Sequence, residues 1–400
     1  MNKKTIPLTK GFKYRIYPTP SQEEYLQQNF GAARFIYNYL LAEIKASNEA
    51  WKIDKTVIRP YVTGISLSYR LPSIKKSEGL AWLNDAPAQM LQCVCTQLAS
   101  AYQRFFRKKI GYPRFKSKCD RQSITFSKQI YKLNGNKLSL SKCDDFFLVT
   151  IHRPLPSAGL KTCTISKTRT GKYYASFLCE YTPETTNGTG VIGIDVGITD
   201  LATLSNGLVL PNPRHYVTAQ HRLARLQRQL SRKEKGSKNR NKVRLKVAKL
   251  HEHIANQRLD YIHKFTTSVI RENQAVAIES LQVKNMVKNH NLAKHIADAA
   301  WGEMRRQLVY KAVASRHCLL VLADPYYPST QLCSHCSSKP SSKIKLGVVE
   351  WTCEYCGTVH ARDNNAAKNL ELLARSYQNQ KQMLSESIAV VLAKPYVPLI

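Results

Sequence analysis

The sequence predicts a mixed fold, with an all-β part and a helical part ahead of an α/β part. Three observations carry this. Apolar residues recur at helical spacing between about 19 and 118. From Ser123 to Tyr181 the period changes to two. Beyond the linker Thr182–Gly190, short apolar runs alternate with long helical stretches. Four hundred residues suit two or three such parts.

The composition is that of a folded chain, with 43% hydrophobic residues, but the charge is lopsided. Sixty-one Lys and Arg face 27 Asp and Glu, a formal net charge of +34. Such a chain repels itself unless it meets a polyanion, and nucleic acid rewards each neutralised phosphate with released counterions. Solubility alone needs far less charge. An anionic membrane would want an amphipathic or lipidated terminus, and neither end offers one. Basic Met1–Lys10 leads into Gly11-Phe12-Lys13-Tyr14-Arg15, not into an apolar signal core, and no apolar run reaches the roughly 18 residues of a membrane span. The eleven cysteines are odd in number, and only four are paired as C-x-x-C. That pattern predicts a reduced, cytoplasmic protein with one metal site and not a disulfide scaffold.

The elements follow in order. Phe12-Lys13-Tyr14-Arg15-Ile16-Tyr17 alternates apolar and basic, as a half-buried strand with one cationic face does, and Pro18 and Pro20 end it. Ser21-Gln22-Glu23-Glu24 fits a capping box with Ser21 at the N-cap and Glu24 at N3. The helix after it carries Leu26, Phe30, Ala33, Tyr37 and Leu40. A second helix carries Leu91, Cys95, Leu98, Tyr102 and Phe105, and Gly111-Tyr112-Pro113-Arg114 stops it. In the period-two region, Leu133-Asn134-Gly135-Asn136 is a hairpin signal and Thr168-Arg169-Thr170-Gly171 a second turn. This predicts an antiparallel sheet or small barrel, which the N-terminal strand could join, leaving the helical part as an insertion. After the linker come a buried strand Val191–Asp195, one or two strands in Leu201–Leu210, helices near 214–234 and 239–272, and a strand Ala275–Glu279. A helix near 295–316, a strand Leu319–Ala323, a Cys-rich module at 329–358 and a helix Asp363–Arg375 complete it. An apolar tail, Ile388–Ile400, predicts at most an added strand.

Asp195 and Glu279 each end an apolar strand, and Asp363 opens a helix in Arg362-Asp363-Asn364-Asn365-Ala366-Ala367. Singly, each has an ordinary explanation: a turn residue, a strand end, a helix N-cap. Together, carboxylates at the ends of adjacent parallel strands converge where α/β proteins build sites. Three of them can hold two Mg²⁺ ions on a phosphodiester. Cys333-x-x-Cys336 and Cys353-x-x-Cys356, 16 residues apart, fit a structural Cys₄ zinc ribbon. His335 and His360 could compete as ligands, but four thiolates already close a tetrahedral site. A redox C-x-x-C is the plainer alternative, set against two matched knuckles at ribbon spacing. Between the first two acids, Arg232–Lys249 carries nine Lys or Arg against one Glu. A solvated helix face would explain this too, yet so many unbalanced positives favour phosphate contact. Lys108–Lys118 mixes cations with Tyr112 and Phe115, which suits base stacking and ordinary packing equally.

Several words then occur in order: Tyr14-Arg15-Ile16-Tyr17-Pro18, Ala33-Arg34-Phe35-Ile36-Tyr37-Asn38, Gly111-Tyr112-Pro113-Arg114-Phe115-Lys116, Gly193-Ile194-Asp195-Val196-Gly197, Ser329-Thr330-Gln331-Leu332-Cys333 and the Arg362 helix start. With the ribbon between the last two, the chain resembles the TnpB (OrfB) family of transposon-encoded RNA-guided DNA endonucleases, relatives of type V CRISPR effectors. The resemblance implies a wedge-like β-barrel from residues 1–18 and 119–186 and a helical recognition domain at 19–118. It implies an RNase H-like RuvC domain at 187–328 and 359–384, a zinc ribbon at 329–358 and a tail at 385–400. It implies a guide RNA from the transposon end, a double-stranded DNA target beside a short motif, and a monomer on its RNA. Asp195, Glu279 and Asp363 match the family's catalytic, Mg²⁺-holding acids, and Cys333, Cys336, Cys353 and Cys356 its Zn²⁺ site. Arg34, Gln92, Arg104, Lys108, Arg114, Ser127, Arg232 and Lys242 are candidate nucleic-acid contacts. Two other readings compete. A catalytically silent RNA-guided repressor would typically have lost an acid, and all three are here. A strand-transfer transposase of this fold usually ends its triad in Glu, and here it ends in Asp; a small junction resolvase has neither ribbon nor a long N-terminal region.

Overall fold

The computed structural model describes residues 8–56, 61–107, 111–156, 159–182, 188–345, 347–384 and 390–392. Of residues 381–384 only the backbone is described. The chain forms two compact units, divided after Thr182.

In the first unit, β1 (Leu8–Ile16) leads to the long α1 (Pro20–Ile53), short α2 (Gly64–Ser68) and α3 (Leu71–Lys76), and α4 (Ala88–Phe106). Six strands follow: β2 (Gln122–Ser127), β3 (Tyr131–Asn134), β4 (Lys137–Leu140), β5 (Phe147–Thr150), β6 (Leu160–Lys167) and β7 (Tyr173–Tyr181). All pair antiparallel in the order β2-β6-β7-β1-β5-β4-β3, a nearly closed barrel. The N-terminal strand therefore sits inside the sheet, paired with β7 along its length and with β5 at its end, and α1–α4 are inserted between it and β2. Period two explains its fit: Phe12, Tyr14 and Ile16 are buried while Lys13 and Arg15 stay outward over Tyr174. The apolar faces of α1 and α4 close the core through Leu26, Phe30, Ile36, Leu40, Leu91, Leu98 and Tyr102. One expectation is corrected. The capping box is Thr19 with Gln22, not Ser21 with Glu24. Thr19 Oγ1 accepts from the Gln22 amide and Gln22 Oε1 from the Thr19 amide. Pro20, whose ring fixes a helical φ, takes N1 and starts the helix two residues earlier.

The second unit is built on β8 (Gly190–Asp195), β9 (Asp200–Leu204) and β10 (Val209–Pro211). Then come α5 (His215–Ser231), α6 (Lys238–Glu272), β11 (Asn273–Ile278), α7 (Val283–Met286), α8 (His290–Ala299), α9 (Trp301–Ser315) and β12 (Leu319–Leu322). A two-stranded β13 (Glu350–Thr352) and β14 (Val359–Ala361), α10 (Arg362–Leu384) and β15 (Val390–Leu392) end it. The sheet order is β10-β9-β8-β11-β12-β15, with β8, β11, β12 and β15 parallel. The apolar tail thus does supply an added strand, β15; residues 393–400 lie outside the described residues, as do 183–187 of the linker. The single helix expected near 295–316 is two, broken at Ala300, whose φ of +54° is left-handed. Burial of Trp301 and Met304 against the sheet fixes the new direction.

Alternation along the parallel strands divides the core. Ile192, Ile194, Val276, Ile278, Leu320 and Leu322 face α6 and α9. Ala275, Ala277, Leu319 and Val321 face α10 with Leu370 and Ala374. Asp195 and Glu279 continue the second set, so both acids point to the α10 face.

Asp298 holds the far side together. Its side chain is 2% exposed, accepts from the Tyr216 and Val217 amides at the start of α5, and is paired with Arg258 at 2.7 Å. The α5 N-cap itself, Arg214, offers no side-chain cap. Asp298→Ala strands a guanidinium and two helix-end donors together. It should destabilise this unit by about 3 kcal/mol, read by urea unfolding; a change below about 1 kcal/mol would refute the assignment.

Candidate active site and metal cluster

The parallel register pairs Gly193 with Ala277 and Ile194 with Ile278, which brings Asp195 beside Glu279 at the strand ends. Small residues on that face let α10 come close. A Cβ on Gly193 would overlap the Ala367 carbonyl oxygen and the Glu371 amide, so the backbone of α10 lies directly on β8 there. Asp363 is one turn before Ala367, over the end of the same strand. Gly193→Ala should therefore push α10 outward, with a cost of about 3 kcal/mol and loss of whatever the three acids do together. Thermal unfolding checks the first and an activity assay the second; a variant melting like the wild type refutes the close approach.

Asp195 is 8% exposed. It shares a hydrogen bond with Glu279, and burial first, then the charges of Glu279 and Asp363, hold its carboxyl well above the ordinary range. Burial raises Glu279 as well, partly offset by hydrogen bonds from Ser329 and Asp195. Ser329 Oγ donates to Glu279 Oε1 at 2.7 Å, and Arg362 pairs with Asp363 at 2.9 Å. Two carboxylates facing each other, Asp195 buried and Glu279 half-buried, fit a site built around a cation, because neither ionises cheaply without one. Asp363 stands more open, turned to Arg362.

The four cysteine sulfurs lie within 4.8 Å of one another, the one group among the described residues that gathers metal ligands so tightly. Cys333 and Cys356, and Cys336 and Cys353, are 3.6 Å apart. Tetrahedral zinc with bonds of about 2.3 Å places sulfurs about 3.8 Å apart, so the quartet fits zinc. The knuckles are built alike: the Ser337 amide donates to Cys333 O and Gly357 to Cys353 O, each with left-handed φ (+61° and +69°). His335 is exposed. His360 is buried against Trp351, with Nε2 3.1 Å from the Cys333 sulfur, beside the quartet and not a fifth member of it.

The sequence reading missed what joins cluster to acids. Asn365 and Asn369, one turn apart on α10 and nearly fully buried, hold the ribbon. Asn365 accepts from the Ser334 amide and donates to Leu332 O; Asn369 donates to Ser329 O and Leu332 O. Polar residues at i and i+4 on a helix face that is otherwise apolar were the available signal. Ser329 and Arg362 touch Glu279 and Asp363, contacts that nothing in their local sequence marks.

The nucleic-acid candidates are scattered. In the first unit, Arg34 donates to Gln122 beside an open groove of Phe35, Tyr39 and Trp82. Gln92, Arg104 and Arg114 are exposed. Ser127 is half-buried and donates to Gln89. In the second unit, Arg232 and Lys242 are exposed at the α5–α6 hairpin. Lys108 lies outside the described residues.

Three family profiles match: residues 8–52 that of a helix-turn-helix domain, 175–290 one described as "probable transposase", and 301–370 a Cas12f1-like TNB domain. The first stretch folds here as β1 and one continuous helix. A Streptomyces pristinaespiralis protein named as a proposed RNA-guided DNA endonuclease is 41% identical over 90% of this chain and 88% of its own. An Escherichia coli protein named in the same way is 32% identical over 90% and 91%. A solved structure titled as a Cas12f1–sgRNA–target DNA complex covers 91% of this chain and 99% of its own at 13% identity, TM-score 0.46. No described helix is long and apolar enough to cross a membrane. On the two relatives, which match along nearly its whole length, and the three profiles, the last of them Cas12f1-like, the chain belongs to the TnpB (OrfB) family, related to the type V CRISPR effector nucleases.

Proposed function

We propose that this chain is an RNA-guided DNA endonuclease that cuts double-stranded DNA beside a short adjacent motif, in a RuvC-type site, by metal-assisted hydrolysis. The observation that carries it is the gathering of Asp195, Glu279 and Asp363 on one face of a mixed sheet, from two adjacent parallel strand ends and a helix start. The naming of relatives at 41% and 32% identity supports the activity class, and the charge of +34 supports polyanionic partners. The RNase H-like reading is supported by the acids standing at the C-terminal ends of parallel strands.

Asp195, Glu279 and Asp363 would hold two Mg²⁺. When bound, the ions supply positive charge to the attacking and leaving oxygens and lower the pKa of water. The chain's own part is placement. The end of β8 fixes Asp195. Ser329 holds one Glu279 oxygen, and Asp195 hydrogen-bonds the same carboxyl group. Arg362 beside Asp363 is placed to meet a phosphate oxygen once Asp363 turns to a cation. Zn²⁺ in the cysteine quartet is structural. The guide comes from the transposon end, and one protein monomer sits on one RNA.

The profile described as "probable transposase" favours a second reading, in which the same acids join DNA ends. One experiment separates them. The protein is purified with its bound RNA, the RNA is sequenced, and matched plasmid is incubated with Mg²⁺. Cut, unjoined plasmid is expected. Joined products would support the transposase, and no RNA with no cutting would sink the proposal.

A further inference from the structure

The α5–α6 hairpin has a property that cutting does not use. Between Arg222 and Lys249 it carries twelve Lys or Arg and a single acid, Glu234. It has its own small core of Leu223, Leu226, Leu250 and Ile254, separate from the core of the sheet. At about 100° per residue, Arg225, Arg228 and Arg232 fall on the side of α5 away from that seam, and Lys238, Lys242 and Lys249 do the same on α6. All six are exposed, and no ion pair among the described residues involves them. Arg240, by contrast, turns inward and ties the tip through the Leu230 and Lys233 carbonyls.

We propose that this hairpin is an electrostatic wedge that lies between two separate nucleic-acid backbones, one against each helix. Three observations select that partner. No Phe, Tyr or Trp occurs between Tyr216 and Tyr261, while cations abound, so the contact is chiefly to phosphate. Leu223, Leu226, Leu250 and Ile254 are buried in the seam, and between Arg222 and Lys249 only Leu245 is an exposed large apolar side chain, too little for a protein interface or a lipid surface. Two packed helices, with axes about 8–10 Å apart and each about 10–12 Å thick, are too wide for one major groove of about 12 Å. Cations facing outward on both sides are therefore met by two backbones, not by the walls of one groove. Bringing two such backbones together costs repulsion that the wedge offsets, and a protein holding RNA and DNA at once faces that cost. The inference rests on the nucleic-acid reading above but not on cutting.

The test is bridging between duplexes of unrelated sequence, which needs neither guide nor cleavage. The full-length protein is loaded on a bead-bound DNA duplex, and retention of a second, fluorescent duplex is measured against salt. One triple variant carries Arg225→Gln, Arg228→Gln and Arg232→Gln; the other carries Lys238→Gln, Lys242→Gln and Lys249→Gln. Glutamine keeps helix propensity at exposed positions, so both variants fold. The wild type is expected to retain the second duplex. Each variant should stay on the bead duplex, retain the second at least tenfold less, and lower the slope of log affinity against log salt for the second by about 2 to 3. The wedge is overturned if the wild type does not bridge, if either variant bridges like the wild type, or if each variant loses the bead duplex too. Failure to cut matched DNA would count against the endonuclease reading alone and leave this assay readable.

Discussion

Asp195→Ala is expected to slow cutting of matched DNA by about a thousandfold or more, roughly 4 kcal/mol of transition-state stabilisation, while RNA and DNA binding persist. Asp195 is the acid with the least exit to solvent, and its hydrogen-bond partner is the second acid. Removing it leaves Glu279 held only by Ser329 and takes one of three ligands from any divalent ion. Asp195→Asn separates this role from a merely structural one. In chelator, ionising Asp195 beside Glu279 is costly, and the neutral amide removes that cost. The Asn variant should therefore melt no lower than the wild type without divalent ions, yet cut as poorly as the Ala variant. The measurement is a paired one: single-turnover cleavage in Mg²⁺ and thermal unfolding in chelator. A variant that cuts normally ends the catalytic assignment. A variant that is crippled only because it melts lower makes Asp195 a structural residue.

The parts most legible in the sequence were those written in periodicity and in pairs. Alternation along Phe12–Ile16 foretold a strand with one cationic face, and a side chain's parity on a strand is enough to place it. Parity also put Asp195 and Glu279 at neighbouring strand ends, once both runs were read as buried parallel strands. The cysteine spacing foretold the quartet, because metal geometry constrains ligand spacing tightly. Where reading failed, a competing local choice won. Two stretches could cap α1, and Pro20 at N1 decided for Thr19. Nothing in the helical pattern of 295–316 announced the left-handed Ala300, because the break follows from where Trp301 must be buried. Long-range polar contacts were the least visible. Asp298 caps a helix that begins more than eighty residues earlier, and Asn369 bonds the carbonyl of Ser329. Such pairings exist only after the fold has brought the segments together.

Those long-range contacts make metal removal the second large effect. Residues 329–358 have little core beyond Leu332 and the cysteines themselves, and the strands β13 and β14 are three residues each. A structural zinc contributes about 10–16 kcal/mol of apparent binding energy in small ribbons, so without it this module should not hold its shape. The loss should travel. Unfolding the first knuckle frees Asn365 and Asn369 from Ser334, Leu332 and Ser329, and frees Ser329 from Glu279. Stripping zinc, or combining Cys333→Ser with Cys356→Ser, should therefore abolish cutting although Asp195, Glu279 and Asp363 are all intact. Hydrogen exchange should rise across residues 329–358 and the first turns of α10, and stay slow in β11 and β12. The wild type should hold one zinc per chain, and returning zinc to the stripped protein should restore both protection and cutting. Asn365→Ala with Asn369→Ala isolates the linkage: it should keep the zinc yet lose most of the cutting, because the ribbon no longer registers α10. A zinc-free chain that cuts as fast as the wild type would show that the ribbon and the acids are neighbours without being coupled.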